Sequence, residues 1–216
     1  MLRKKCVIID YGLGNVFSVM STIKQIGHFS ELSSDPKKIM NADRVILPGV
    51  GAYGRASEKL KIDCLDKVII EYISTGKPLL GICVGMQLLM ERGEEFGNYK
   101  GLGIINGSAQ KIQFQKKLAQ KFRVPVIGWF PIQQSFHNSF KNTPIRKNEL
   151  NNNFYFVHSY QAKVSNPQNQ IAYHSFGNKK ITSMIKKNNV LGVQFHPERS
   201  GKNGQLFFKN FLENEL

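Results

Sequence analysis

The sequence predicts an α/β fold: a mostly parallel central sheet with helices on both faces and added antiparallel strands. Three observations predict it. Short, almost wholly apolar runs at Cys6–Ile9, Arg44–Leu47 and Pro78–Ile82 have the character of strands buried on both faces. Segments with helical spacing of apolar residues lie between them. Beyond about residue 123, strand-like stretches succeed one another without convincing helices, which suggests antiparallel strands added to the same sheet.

Taken in order, the strand Cys6–Ile9 leads through Gly12-Leu13-Gly14-Asn15 into a helix over roughly 15–26, where Val16, Met20 and Ile23 mark one buried face. The strand Arg44–Leu47 runs into the turn-rich loop Pro48-Gly49-Val50-Gly51. A helix over roughly 54–75 follows, with Leu60, Cys64, Val68 and Tyr72 on one stripe and Gly76 near its C-terminus. The third strand, Pro78–Ile82, feeds a helix that begins at Cys83. Further strands are expected at about 123–134, 154–157, 181–186 and 190–195, and a last helix at Gln205–Phe211. The stretch from Gln133 to Asn153, rich in Asn, Lys and Ser, reads as a surface loop. No internal repeat or low-complexity tract is visible, and residues 1–216 read as a single domain.

Hydrophobic residues make up 41% of the chain and charged residues 21%, which argues against disorder. No apolar run approaches the roughly 18 residues of a membrane helix. The basic start gives way to an apolar run that ends at Asp10, too soon for a signal-peptide core. Three scattered cysteines fit neither a disulfide framework nor a zinc site, so a reduced, cytoplasmic protein is expected, with no metal or cofactor. The net charge of +15 predicts attraction to anions: nucleic acid, phosphorylated metabolites or an acidic protein. Plain Lys-rich composition is the competing account. The basic clusters Lys111–Arg123 and Lys179–Lys187 are loose and match no nucleic-acid-binding motif, which argues against that partner.

Chemistry concentrates at Gly81-Ile82-Cys83-Val84-Gly85, a strand-to-helix turn with glycines two residues either side of a cysteine. This is the nucleophile-elbow pattern with Cys in place of Ser. A helix N-terminus behind the sulfur would favour the thiolate. A lone cysteine is more often a small buried hydrophobe, and that reading holds for Cys6 and Cys64, which sit within apolar patterns. A thiol nucleophile needs a base, and the base needs an orienting group. Of the five histidines, only His196 has a partner built in, as Gln194-Phe195-His196-Pro197-Glu198 directly after an apolar strand. Elbow and His-x-Glu together favour catalysis over either bland reading.

Five segments occur in an order that resembles class I glutamine amidotransferases, and within them the glutaminase subunit of imidazole glycerol phosphate synthase. They are Asp10–Asn15, Leu47–Ala52, Gly81–Gln87, Phe154–Tyr160 and Gln194–Glu198. The resemblance implies that Cys83 attacks the γ-amide of glutamine, with His196, oriented by Glu198, moving the proton. The N–H of Val84 and one from the Val50-Gly51 loop would form the oxyanion hole. Gln87, Glu95 and the segment His158-Ser159-Tyr160 match positions that hold the amino-acid end of glutamine. The implied partner is a (β/α)8-barrel cyclase subunit in a heterodimer, which receives ammonia for histidine biosynthesis. Asn15, Trp129 and Arg199 are the candidate interface residues, Arg199 for an ion pair with an acidic barrel residue. One departure stands out: Val126-Ile127-Gly128-Trp129-Phe130 replaces a His-Met pair before Gly-Trp and an Asn after it. It keeps open an alternative role, ammonia supply for surface-sugar modification; a catalytically silent subunit of the same fold is the other alternative. At 216 residues the chain has room for the glutaminase alone, so the synthase half is expected on a separate chain.

Overall fold

A computed structural model of the chain describes residues 4–115, 121–135, 140–145 and 153–214. The first part runs β1 (Cys6–Ile9), α1 (Val16–Gln25), β2 (Ser30–Ser33), α2 (Pro36–Met40), β3 (Arg44–Leu47), α3 (Tyr53–Ile62), α4 (Leu65–Ser74), β4 (Leu79–Ile82) and α5 (Val84–Leu88). Then come β5 (Met90–Gly93), β6 (Tyr99–Lys100), β7 (Ile105–Lys111), β8 (Val126–Pro131), β9 (Gln133–Gln134), β10 (Asn153–His158), β11 (Tyr160–Val164), β12 (Gln170–Phe176), β13 (Lys179–Lys187) and β14 (Val190–Val193). A turn of 3-10 helix at Pro197–Arg199 and the long α6 (Gly201–Glu213) end the described chain.

The main sheet has eight strands in the order β2-β1-β3-β4-β14-β13-β12-β9. Its first five strands are parallel, and β13, β12 and β9 are joined to it antiparallel. The strands β1, β3, β4 and β14 are buried at every residue, because both faces of this part of the sheet are covered. Their side chains join Phe207, Phe208, Phe211 and Leu212 of α6 in one continuous core. The buried Arg44 ties the end of α6 to the sheet through Phe211 O (3.1 Å) and Asn214 O (2.9 Å). These bonds satisfy carbonyls that a helix end leaves open.

The expected antiparallel addition is present, but it is not the whole of the second half. β8 and β10 form a separate two-stranded sheet, and β11-β7-β5-β6 a four-stranded one. The expected helix over 54–75 is two helices, broken at Asp63-Cys64, where Cys64 adopts a left-handed φ of 54°. Cys64 is therefore exposed rather than part of the core stripe, whereas Cys6 is buried as expected. The expected strand 123–134 shortens to β8 and β9. Within the expected loop from Gln133 to Asn153, residues 136–139 and 146–152 lie outside the described residues. The described Phe140 and Ile145 are buried in the core, so that segment is more than a surface connection.

Candidate active site

Three neighbouring strands deliver the site from the same edge of the sheet. β3, β4 and β14 run parallel with Leu47 beside Gly81 and Ile82 beside Val193, so their C-terminal ends lie side by side. The chain leaving β3 is the loop Pro48–Gly51, that leaving β4 is Cys83, and that leaving β14 is Gln194-Phe195-His196. Strand ends of a parallel sheet are where α/β folds place their ligands.

Cys83 sits at φ 54°, ψ −109°, a backbone conformation costly for a residue with a β-carbon. Its N–H donates to Val193 O at 2.8 Å, which fixes the turn. The following helix, α5, has only five residues and lies flat against the loop after β3. Gly49 and Gly85 permit that approach: a β-carbon on Gly49 would run into the Gly85 N–H, and one on Gly85 into the Leu47 carbonyl. Tyr11, buried and with its pKa raised by burial and by the Cys83 charge, donates its hydroxyl to Pro48 O at 2.7 Å and so pins the loop's root.

His196 Nδ1 meets Glu198 Oε1 at 2.8 Å, with side chains 5% and 1% exposed. Pro197 opens the 3-10 turn that brings the carboxylate back onto the ring. The backbone is held too: His196 N–H donates to Tyr155 O (2.9 Å), and Ser200 Oγ donates to His196 O (2.6 Å). Burial pulls the imidazole pKa down, but the Cys83 thiolate and the Glu198 carboxylate outweigh it and push it up to about 10. The ring thus stays protonated at neutral pH. His196 Nε2 is buried without a hydrogen-bond partner among the described residues.

One cavity of about 450 Å³ is lined by Cys83, Val84, His196, Val50, Gly51, Gln87, Glu95, His158, Ser159, Tyr160, Asn15 and Arg199. The structure therefore gathers twelve of the residues singled out from sequence. Glu198 stands behind His196, and Trp129 lies on the exposed face of β8, outside the cavity. Glu95 Oε2 accepts the Tyr53 N–H at 2.7 Å and so caps α3 while facing the cavity. Gln87 donates to Tyr160 O (3.2 Å) and to Gln194 Oε1 (3.0 Å). The N–H of Val84 is directed at Gly49 O, 3.3 Å away. His158 Nδ1 donates to Tyr160 O at 2.8 Å, and burial lowers its pKa to about 4, so its Nε2 is an unprotonated acceptor. No group of three His, Cys, Asp or Glu among the described residues is arranged to hold a metal ion.

Two residues matter here that composition and spacing do not single out. Gln194, fully buried, directs Nε2 at Cys83 Sγ, 3.6 Å away, while its Oε1 takes the Gln87 bond. Tyr11 acts through the loop. Both lie inside segments already conspicuous in the sequence, next to the histidine and to the first glycine turn, but only the fold brings them to the sulfur and to the loop after β3.

A buried thiol on a strained elbow, an adjacent imidazole held by a carboxylate, and a glycine loop within reach are the parts that acyl transfer through a cysteine requires. The family model described as glutamine amidotransferase class-I matches residues 7–214, and the chain belongs to that family. Among curated proteins it is 41% identical over 211 residues to the imidazole glycerol phosphate synthase subunit HisH of Lactococcus lactis subsp. lactis (strain IL1403), covering 97% of this chain and 98% of that one. It is 37% identical over 212 residues to subunit HisH 1 of Legionella pneumophila (strain Lens), covering 95% and 97%. The fold is shared with the structure of PurLQS from Thermotoga maritima, at TM-score 0.69 and 16% identity, covering 98% of both chains.

Proposed function

We propose that this chain is the glutaminase subunit of an imidazole glycerol phosphate synthase, hydrolysing glutamine and passing the ammonia to a partner subunit. The observation that carries this is the His196–Glu198 contact of 2.8 Å sharing one cavity with Cys83. The full-length identity to HisH proteins supports the pathway.

In this mechanism the Cys83 thiolate attacks the glutamine side-chain carbonyl carbon. The tetrahedral intermediate collapses as protonated His196 gives its proton to the leaving nitrogen, and ammonia departs. His196, now neutral, takes a proton from water; the hydroxide attacks the thioester, and glutamate leaves as the thiolate returns. Glu198 holds the imidazole orientation and stabilises its charged form. Gln87 and Glu95 bind the amino-acid end, with the backbone of His158-Ser159-Tyr160 beside them. The oxyanion needs Val84 N–H, which here is directed at Gly49 O at 3.3 Å. In a trans peptide the Gly49 carbonyl and the Val50 N–H point opposite ways. Rotating that one peptide would release Val84 N–H and turn Val50 N–H inward, completing the hole. A missing oxyanion donor costs about 3–4 kcal/mol of transition-state stabilisation. The Gly49–Val50 peptide, followed by Gly51 at φ 88°, is thus the switch of this reading.

Ammonia in neutral water is mostly protonated and no longer a nucleophile, so a receiving subunit is required. A (β/α)8-barrel cyclase is the partner we propose. Its docking surface would include Asn15 at the cavity mouth, Arg199, stacked over the Tyr155 ring at 5.3 Å, and Trp129, whose ring meets Tyr155 edge-on at 5.9 Å. A reducing cytoplasm, where a thiol nucleophile persists, is the compartment this reading expects. The test is a glutaminase assay with and without the partner cyclase and its substrate. Partner-stimulated hydrolysis that falls about ten-thousand-fold or more in Cys83→Ala is the expected result. Full activity in that variant would refute the assignment.

A further inference from the structure

A second cavity, of about 820 Å³, lies between the β7–β11 pair and the β12–β13 arm of the main sheet. It backs onto the glutaminase pocket through shared segments: Tyr160 and Glu95 face one cavity, and their neighbours Gln161 and Glu94 face the other. Its volume lies within the usual range of roughly 300–1,000 Å³ for small-molecule sites.

The chemistry of the lining is one-sided. Lys111, Lys163, Lys179 and Lys180 face the cavity, against the single carboxylate of Glu94. None of the four makes an ion pair among the described residues. Two are placed by aromatic rings instead: Lys179 lies over Phe114 at 5.8 Å and Lys180 over Tyr173 at 4.7 Å. Lys111 and Lys179 come from the two basic stretches that are far apart in sequence and that the glutaminase reading leaves without a role. Between the cations are groups that pair with hydroxyls. Gln161 is only 8% exposed, lines the cavity, and has no side-chain hydrogen-bond partner among the described residues. Thr182, 4% exposed, accepts from Gln170 Nε2 at 3.0 Å. The Gln161 amide opens onto the cavity and offers a ligand hydroxyl both a donor and an acceptor.

We propose that this cavity is a binding site for a small phosphate ester of a polyhydroxylated molecule, with the lysines taking the phosphates and Gln161 a hydroxyl. It does not depend on the glutaminase mechanism, and either can fail alone. The experiment is calorimetric titration of the full chain, at about 0.15 M salt to screen loose surface charge, with fructose 1,6-bisphosphate and with inorganic tripolyphosphate. Both are expected to bind one to one. Lys111→Gln/Lys163→Gln/Lys180→Gln should weaken both by about tenfold or more, since each removes a charge that would face the phosphates. Gln161→Ala should weaken the sugar ester and leave tripolyphosphate unchanged, which a general loss of fold or charge would not do. Failure of the sugar ester to bind, or binding unchanged in the triple variant, would overturn the proposal. So would a single-stranded oligonucleotide that binds more than about tenfold tighter than the ester, by assigning the groove to nucleic acid.

Discussion

His196 carries the clearest electrostatic signature of any residue in the molecule. Its pKa, near 10, lies above the ordinary value of 6.5, so the stabilisation it provides is fully present below pH 6.5 and is lost as pH rises toward 10. In Glu198→Gln the carboxylate that helps to raise it is gone. NMR titration of the imidazole should then show a midpoint lower by more than about one unit, while turnover falls by about a hundredfold or more. An unmoved midpoint would mean the carboxylate only fills space. His158 and His174 have the opposite sign. Burial lowers them to about 4 and about 3, so the unfolded chain binds protons there that the folded one refuses. Stability should therefore decline as pH falls below 6.5, by about 2 kcal/mol per histidine at pH 5 relative to full neutrality. His174→Gln should remove about half of that decline, read from urea midpoints at pH 7 and pH 5. The His196–Glu198 contact and the Cys83 elbow were legible in the sequence because a proline-linked His-x-Glu and glycine spacing are local. The buried pair was not, because His158 and His174 meet, rings 5.7 Å apart, only through the packing of β10 against β12.

At the scale of elements, the break between α3 and α4 shows where pattern reading stops. Leu60, Val68 and Tyr72 keep a helical period, and nothing about a cysteine announces a left-handed residue. Cys64 occupies that conformation with its side chain exposed, so it contributes strain and little packing. Cys64→Gly is expected to stabilise the protein by about 1 kcal/mol, measured by chemical denaturation, because glycine adopts positive φ without the β-carbon penalty. The apolar strands β1, β3 and β4 were legible for the opposite reason: strands covered on both faces need apolar residues throughout. β2 (SELS), β5 (MERG) and β7 (INGSAQK) carry no such mark. They are strands because of partners distant in sequence, as when Met90 pairs with Ile105 and Ala109 with Ala162. The helix α2 could have been found from its Asp35 cap, which accepts the Lys37 N–H ahead of Pro36.

For the molecule as a whole, the exposed surface beside the active-site mouth carries its own expectation. Ile127 and Trp129 alternate outward along β8, 57% and 52% exposed, across from Val157 and Tyr155 on β10. Of the altered residues around Gly128, Ile127 shapes that surface, whereas Val126 is buried and Phe130 packs against Phe156 and His174. Trp129→Ala should weaken association with the partner by about 2 kcal/mol while the isolated chain unfolds at an unchanged midpoint; analytical ultracentrifugation and thermal melts would separate the two. The two ends of the eight-stranded sheet have a consequence for the crowded cell. At one end β9 is two residues long; at the other β2 is four, and its Glu31 reaches Lys38 at 2.6 Å and Lys5 at 4.0 Å. A brief, charged border offers a neighbouring chain few backbone groups to pair with, at the cost of stripping ions that are already matched. A nascent copy beside a finished one thus finds little template along β2 or β9, which lowers the tendency of a sheet built mostly of apolar strands to recruit a second chain.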